Sequence, residues 1–324
     1  MSHLSSPWIR AACGVALAAA SALASAFPDK PVTLVVPYPP GGATDTVARI
    51  MAKGMTQRLK QTVIVDNRAG AGTVIGAGAV AQAAPDGHTL LISSNTTFTV
   101  NPALKPKLPY DALKSFESIG VIGSSPLVLL AHPSLPANSV AELVALAKAQ
   151  PGKLSYASFG NGTTSHFAGE MFKLMTGANI VHVPYKGSAP AMQDLIGGQV
   201  LLSFDTNVAA IPMLQAGKVK GIAVTALKPS PSLPKLPPIA QAGYPEYEMV
   251  PWITVVAPRG LNAAARAALT KAFADTVADA GIRAELEKVG IDVAYEPPSA
   301  YDERVARELP RLRAYVHKAG MTAD

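Results

Sequence analysis

From Pro31 onward, short apolar and β-branched runs alternate with longer Ala-rich segments whose apolar positions recur every three or four residues. Val32–Val36 (VTLVV), residues 62–65 and residues 89–92 lack the strict apolar/polar alternation of a half-exposed strand, so they read as strands covered on both faces. Between the first two lies a segment at 44–60 in which Ala48, Met51, Met55 and Leu59 fall on one helical face. This β-α-β-α order predicts an α/β fold with a parallel, doubly wound sheet.

The pattern restarts after Ser124-Ser125-Pro126. Strands are expected near 154–157, 180–183, 200–204 and 220–225, and helices near 139–149, 164–176, 189–196 and 209–216. The Pro-rich stretch 228–238 cannot enter a helix or a central strand and must be a surface excursion. Trp252–Pro258 supplies another buried strand. Asn262 can cap a helix that carries Leu269, Phe273 and Val277 on one face, and Ser299 with Asp302 reads as a capping box for a last helix, which Pro310 should kink or split.

One strand and two helices are too little for a third domain, so the economical arrangement returns them to the first sheet. The expected division is residues 27–124 plus 253–324 as one domain and 125–252 as the other. The chain then crosses near 123–131 and 249–257. Two crossings between two doubly wound α/β domains form a hinge and leave a cleft.

The N-terminus differs from the rest. Arg10 is the only charged residue before Asp29, an apolar run follows it, and Ala24-Ser25-Ala26 offers small residues to a signal peptidase. Residues 1–26 are therefore expected to be a cleaved secretory signal, since the apolar run of about 14 residues falls short of the roughly 20 needed to span a bilayer. Cys13 stands near the start of that run, against lipidation, and its removal would leave no cysteine, which suits an oxidising compartment. The formal charge of +6 is spread along the chain and does not indicate nucleic acid, and charged residues at only 15% exclude a disordered chain.

In doubly wound sheets ligands sit where strand ends lead into helix N-termini. Three such loops stand out. The first, at 36–45, carries Tyr38, Gly42, Ala43, Thr44 and Asp45, with Thr44 or Asp45 available as a cap; Pro39-Pro40-Gly41-Gly42 reads equally as a tight turn or as an anion-binding entrance. The second, at 157–166, carries Ser158, Gly160, Asn161, Thr163, Thr164 and His166, and the third, at 183–190, places Tyr185 as an aromatic wall. A carboxylate held at two or three helix ends would gain ~0.3–2 kcal/mol from each dipole, besides hydrogen bonds of roughly 1.5–3 kcal/mol each. Micromolar affinity requires about 8 kcal/mol.

The string PVTLVVPYPPGG from Pro31, followed by Asp45, resembles the opening of the Bug receptors, the extracytoplasmic solute-binding proteins of tripartite tricarboxylate transporters. DNRAGAG from Asp66, APDGHTLL from Ala84, VPYKG from Val183, and Gly198-Gln199-Val200 leading to Phe204-Asp205 extend the resemblance over essentially the whole chain after residue 26. It implies a two-domain periplasmic flytrap that captures a small organic carboxylate and hands it to membrane permease subunits, as a monomer, without cofactor or catalysis. It also implies ligand contacts from the three loops and from Asp205, with Asn95 and Thr97 as weaker candidates. Asp205 would pair with a ligand ammonium or, equally, cap the helix that follows near Thr206-Asn207. Ser93-Ser94-Asn95-Thr96-Thr97-Phe98, Thr73-Val74 and residues 228–241 depart from the family's pattern and bear on ligand identity.

The alternative is an exported hydrolase or dehydrogenase on the same scaffold. GTVIGAG from Gly72 imitates a dinucleotide fingerprint, and Tyr110 with Lys114 imitates a dehydrogenase pair, but the pair stands too close to the glycines and in an irregular stretch; those glycines read as close-packing positions. No Gly-x-Ser-x-Gly elbow or Walker loop occurs, and His88, His132, His166, His182 and His317 are never three to five residues apart, so no metal site is signalled.

Overall fold

The computed structural model describes residues 27–321; residues 1–26, expected to be an export signal, and Cys13 among them lie outside the described residues. The apolar runs form strands: β1 (Val32–Val36), β2 (Val63–Asn67) and β3 (Thr89–Ser94) pair in parallel, with β1 between the other two; β1 and β3 are covered on both faces as expected, but β2 lies at the sheet edge with Ile64 exposed. Helix α1 (Ala43–Leu59) connects β1 to β2 and buries Val47, Ala48, Met51, Met55 and Leu59. A short 3₁₀ turn (Ala71–Thr73) precedes α2 (Val74–Ala81), and a π-turn (Thr96–Val100) after β3 leads into α3 (Asn101–Leu104).

The first sheet is completed by β4 (Phe116–Ser124), β10 (Trp252–Pro258) and β11 (Asp292–Glu296), in the order β11-β4-β10-β3-β1-β2. The second sheet contains β5 (Leu127–Ala131), β6 (Leu154–Ser158), β7 (Ile180–Pro184), β8 (Leu202–Thr206) and β9 (Lys220–Val224), in the order β7-β6-β8-β5-β9. Its helices are α4 (Val140–Ala149), α5 (Thr164–Thr176), α6 (Ser188–Ile196) and α7 (Asn207–Gln215). Two α/β units, each with helices packed on its sheet, make up the fold.

Neither sheet is purely parallel. β10 runs antiparallel to both β3 and β4, and β5 antiparallel to both β8 and β9. These are the strands on which the chain arrives from the other unit. Parallel neighbours need a long crossover, whereas only Ser125 and Pro126 separate β4 from β5, so the chain runs straight on into the second sheet. Ser125 N donates to Pro251 O at 2.9 Å, tying the two crossings together. β4, β5 and β11 have no counterpart in the sequence expectations; β4 and β5 flank the break at Ser124-Ser125-Pro126, and β11 is a short edge strand late in the chain.

The C-terminal part carries α8 (Ala263–Ala278), α9 (Ala280–Lys288) and α10 (Ser299–Ala319). Asn262 caps α8 as expected, accepting from Ala265 N at 2.8 Å. Two expectations for the last helix fail. α10 starts after Pro298 without a side-chain cap, so Ser299 and Asp302 form no capping box, and it continues unbroken through Pro310. Packing on both units overrides the local cost of the proline: Tyr301 and Val305 lie in the core beside Trp252, while Leu312, Tyr315 and Val316 pack on the second unit with Phe167 and Tyr247. Residues 228–238 form neither helix nor strand.

The glycines of the fingerprint-like stretch are packing positions. A Cβ on Gly76 would stand 2.7 Å from Arg68 O and 2.9 Å from Pro37 Cβ, and one on Gly78 would stand 2.9 Å from Pro109 Cγ. Tyr110 is buried and donates to Thr97 O, and exposed Lys114 gives its amide to Asp111 in a turn.

Candidate ligand-binding site

The first amides of an α-helix have no partner within the helix, and its N-terminus carries about half a positive charge. Residues at the N-terminal ends of four helices line one cavity between the sheets. α1 contributes Gly42, Ala43 and Thr44; α5 contributes Thr164; α6 contributes Gly187, Ser188, Ala189 and Pro190; and α7 contributes Thr206. α1, α6 and α7 have no side-chain cap, whereas α5 is capped by Thr163, which accepts from His166 N. The space open to the centre of a water-sized sphere is ≈ 60 Å³, several times the ~10–15 Å³ that one water needs.

The wall is mainly apolar surface interrupted by hydroxyl-bearing residues, and is poor in charge. Tyr38, Thr44, Ser94, Thr96, Ser125, Thr164, Ser188 and Thr206 line it with Pro39, Phe159, Pro251 and Ile253, and among the described residues Lys186 is its only charged side chain. No carboxylate among the described residues lines it, so an anion meets donors without a negative neighbour at the wall. Tyr38 and Ser94 share a hydrogen bond of 2.9 Å, and burial pushes the Tyr38 phenol above its ordinary range. Ser125 is 1% exposed, and among the described residues its Oγ has no partner and Thr206 Oγ1 makes no well-formed hydrogen bond either. Buried hydroxyls without partners in a cavity wall are groups that a ligand or water would satisfy.

The two units touch on both sides of the cavity. Thr96 of the first is 2.6 Å from the Thr164 hydroxyl of the second and also accepts from Thr164 N at 3.1 Å. On the other side Pro39 Cγ lies 3.3 Å from where a Gly187 Cβ would stand, and Gly187 has φ +117°, which favours glycine.

Of the residues proposed from sequence, Tyr38, Gly42, Ala43, Thr44 and Thr164 line the cavity; the others lie behind it. Asp45 does not cap α1. From the third helical position it reaches back to Gly41 N (2.9 Å), and its oxygens also take Arg49 and Asn67 Nδ2 (each 3.0 Å). Burial pushes the Asp45 carboxyl up, but the bonds from Arg49, Gly41 and Asn67 outweigh it and hold the group below the usual carboxylate range. Asn95 accepts from Thr164 Oγ1 at 3.0 Å. Thr97 bonds Ser93 and donates to Thr73.

In the second loop, Thr163 donates to Gly160 O at 2.8 Å, Gly160 N donates to Ser158 Oγ, and the Asn161 carbonyl packs on Gly72. His166 is stacked on His182, with ring centroids 4.1 Å apart, and Tyr156 covers the other side of His182. Burial, with the His166 and Lys173 charges, lowers His182 to about 3. Ser158 lies 2.6 Å from His182 Nε2; this nucleophile-and-base look-alike is buried outside the cavity lining, and no carboxylate is hydrogen-bonded to His182 among the described residues. The wall residue of the third loop is not Tyr185, whose hydroxyl donates to Asp194 at 2.7 Å; Phe159 supplies the aromatic surface instead.

Asp205 is fully buried beneath the wall. Ser188 Oγ lies 2.9 Å from each of its oxygens, and Thr206 N donates to Oδ1 at 2.8 Å. It therefore bonds the amide of Thr206 without capping α7, contrary to the capping expectation, and also the first residue of α6. Burial raises it to about 7, against the opposing bonds from Ser188 and Thr206. Among the cavity-lining residues that sequence reasoning did not name as contacts are Ser94, Thr96, Ser125, Phe159, Ser188, Thr206, Pro251 and Ile253, besides Pro39, Pro40, Lys186, Gly187, Ala189 and Pro190 of loops already singled out. Ser188 and Phe159 lay in loops already singled out, while Ser125 and Pro251 lay in the crossings, whose sequence carries no ligand signal.

Residues 47–321 match the family described as tripartite tricarboxylate transporter family receptor. The chain belongs to this family. Protein BugT of Bordetella pertussis is 35% identical to it over 303 residues, 93% of each chain. An R. palustris protein solved with adipate superposes with a TM-score of 0.87 at 36% identity, over 91% of this chain and 99% of that one. MatC from Rhodopseudomonas palustris, solved with malate, gives 0.84 at 32% identity, over 90% and 100%. Both the receptor family and the flytrap-type α/β fold expected from the motifs are thus established.

Proposed function

We propose that this family receptor captures a small organic carboxylate between its two units and passes it to a membrane permease, without chemical turnover. The observation that carries the reading is the gathering of four helix N-terminal ends, three of them uncapped, around one cavity whose wall carries hydroxyls and, among the described residues, no acidic side chain. Adipate and malate in the related structures support the same ligand class.

In this reading residues 27–124 with 253–324 form one lobe and 125–252 the other, the crossings at Ser125 and Pro251 act as the hinge, and the second half of α10 rests on the second lobe. Residues 1–26 are a cleaved export signal, the receptor acts in the periplasm as a monomer, and the permease subunits are those of a tripartite tricarboxylate transporter. Direct contacts come from Tyr38, the amides of Gly42, Ala43 and Thr44, and Thr164; the other expected residues hold those in place.

Calorimetric titration against malate, adipate, citrate, aromatic acids and acidic amino acids tests the reading. Saturable binding of at least one acid with a matching rise in melting temperature is expected. Binding of none, or consumption of a bound acid, would refute it.

A further inference from the structure

Asp205 has an unusual position for a buried acid. It is 0% exposed, no cation among the described residues bonds it, and its two oxygens are equally distant from the hydroxyl of a residue that lines the cavity. Strand β8 alternates, so that Leu202 and Phe204 face the core shared with α5, and Asp205 faces the opposite side, toward α6 and α7. On that side α7 and the facing stretch of β5 carry no titratable group, Asp194 of α6 is bound to Tyr185, and Lys186 is exposed. On the far side, Tyr156 of β6 bonds Glu170 of α5, Glu170 pairs with Lys173, and His166 stacks on His182 of β7.

A hydroxyl has one proton to donate. When Asp205 is ionised, both its oxygens accept, the Ser188 O–H must turn to it, and Ser188 presents only lone pairs to the cavity. When Asp205 carries a proton, that proton donates to Ser188 Oγ and frees the Ser188 O–H to point outward. We propose that Asp205 and Ser188 form a proton-coupled specificity device: the receptor takes one proton from solvent onto Asp205 as a carboxylate binds, and Ser188 then donates to that carboxylate. This rests on the carboxylate-receptor reading above. Burial that already places Asp205 near 7 makes the uptake measurable around neutral pH. The direction follows from linkage: the ligand stabilises protonated Asp205, so affinity falls as pH rises, by up to ~10-fold per pH unit above the free carboxyl's midpoint.

The test is titration of malate and adipate at pH 6.5–8.5, above the range where ordinary carboxyls of the ligand titrate, in buffers of different ionisation enthalpy. The expected result is uptake of ~0.5 proton at pH 7, rising toward ~1 at pH 8.5, with a parallel loss of affinity. Asp205→Asn supplies an N–H in place of the acid proton and keeps the acceptor for Thr206 N. It should bind with a flat pH profile and, at pH 8.5, ~10-fold or more tighter than the wild type. Ser188→Ala should bind ~3–10-fold more weakly at pH 6.5 and take up no proton, and it decides the matter if Asp205→Asn does not fold. A flat wild-type profile without uptake overturns the proposal and leaves the receptor reading intact. A slope that persists in Asp205→Asn overturns it by placing the proton elsewhere, on His166 for example. Failure of wild type and both variants to bind any acid overturns both readings together.

Discussion

Asp45→Ala probes how the first helix end is aimed. The carboxylate is 3% exposed and accepts four hydrogen bonds, from Gly41 N, Arg49 Nε and Nη2, and Asn67 Nδ2. Arg49 is 56% exposed, so its pair contributes little in water, on the order of 0.3–0.5 kcal/mol. The Gly41 and Asn67 donors are partly buried and bond a charge; at ~1.5–3 kcal/mol each, discounted for water entering the site, they bring the total to ~2–4 kcal/mol. That corresponds to a fall in Tm of roughly 5–15 °C. Because the same bonds hold the Pro39–Gly42 turn against the cavity, ligand affinity should drop ~5–10-fold, about the value of one misaligned helix end. Asp45 is held below its ordinary range, so its contribution is present above the unfolded carboxylate's range and is lost as pH falls through the folded value. The stability gap between wild type and variant should therefore be widest near neutral pH and close in acid. Urea unfolding followed by fluorescence of buried Trp252 reads the gap, and calorimetry reads the affinity. A loss below ~0.5 kcal/mol with unchanged affinity would refute the reasoning and assign the turn's shape to Pro39 and Pro40 alone.

Ser125→Ala removes a hydroxyl that has no partner among the described residues, so Tm should stay within ~2 °C or rise slightly while carboxylate affinity falls; a clear loss of stability without change in binding would show that the hydroxyl serves the fold. Gly76→Val forces side-chain atoms onto Arg68 O and Pro37 and should cost ~2 kcal/mol or more in urea unfolding, with weaker binding because Pro37 leads into the first cavity loop. Glu308 is raised by burial, against Trp252 Nε1 and the nearby arginines. A raised acid contributes stability at low pH that is lost as pH climbs through its folded value. Glu308→Gln keeps an acceptor for Trp252, so its Tm relative to wild type should rise between pH 4 and pH 7; a difference that is flat or reversed over that range would contradict the assignment.

The succession of buried strands and amphipathic helices, the loops at 36–45, 157–166 and 183–190, and the family itself were all determined by local sequence, because apolar periodicity and turn chemistry are properties of neighbouring residues. Three decisions belonged to the tertiary structure alone. The mixed strand directions, and the strands β4 and β5, arise from where the chain crosses between sheets, and β11 from pairing at the sheet edge with distant β4, long-range matters that no local pattern records. The unbroken α10 reflects burial on both units, which offsets what Pro310 costs by itself. The division of the loops into cavity wall and support arises because a loop of ten residues can present only a few side chains to one small space. Thr44 and Thr164 reach it, whereas Asp45 is held by Arg49 one turn along its own helix, Tyr185 by Asp194 on the helix that follows it, and His166 by His182 on a neighbouring strand.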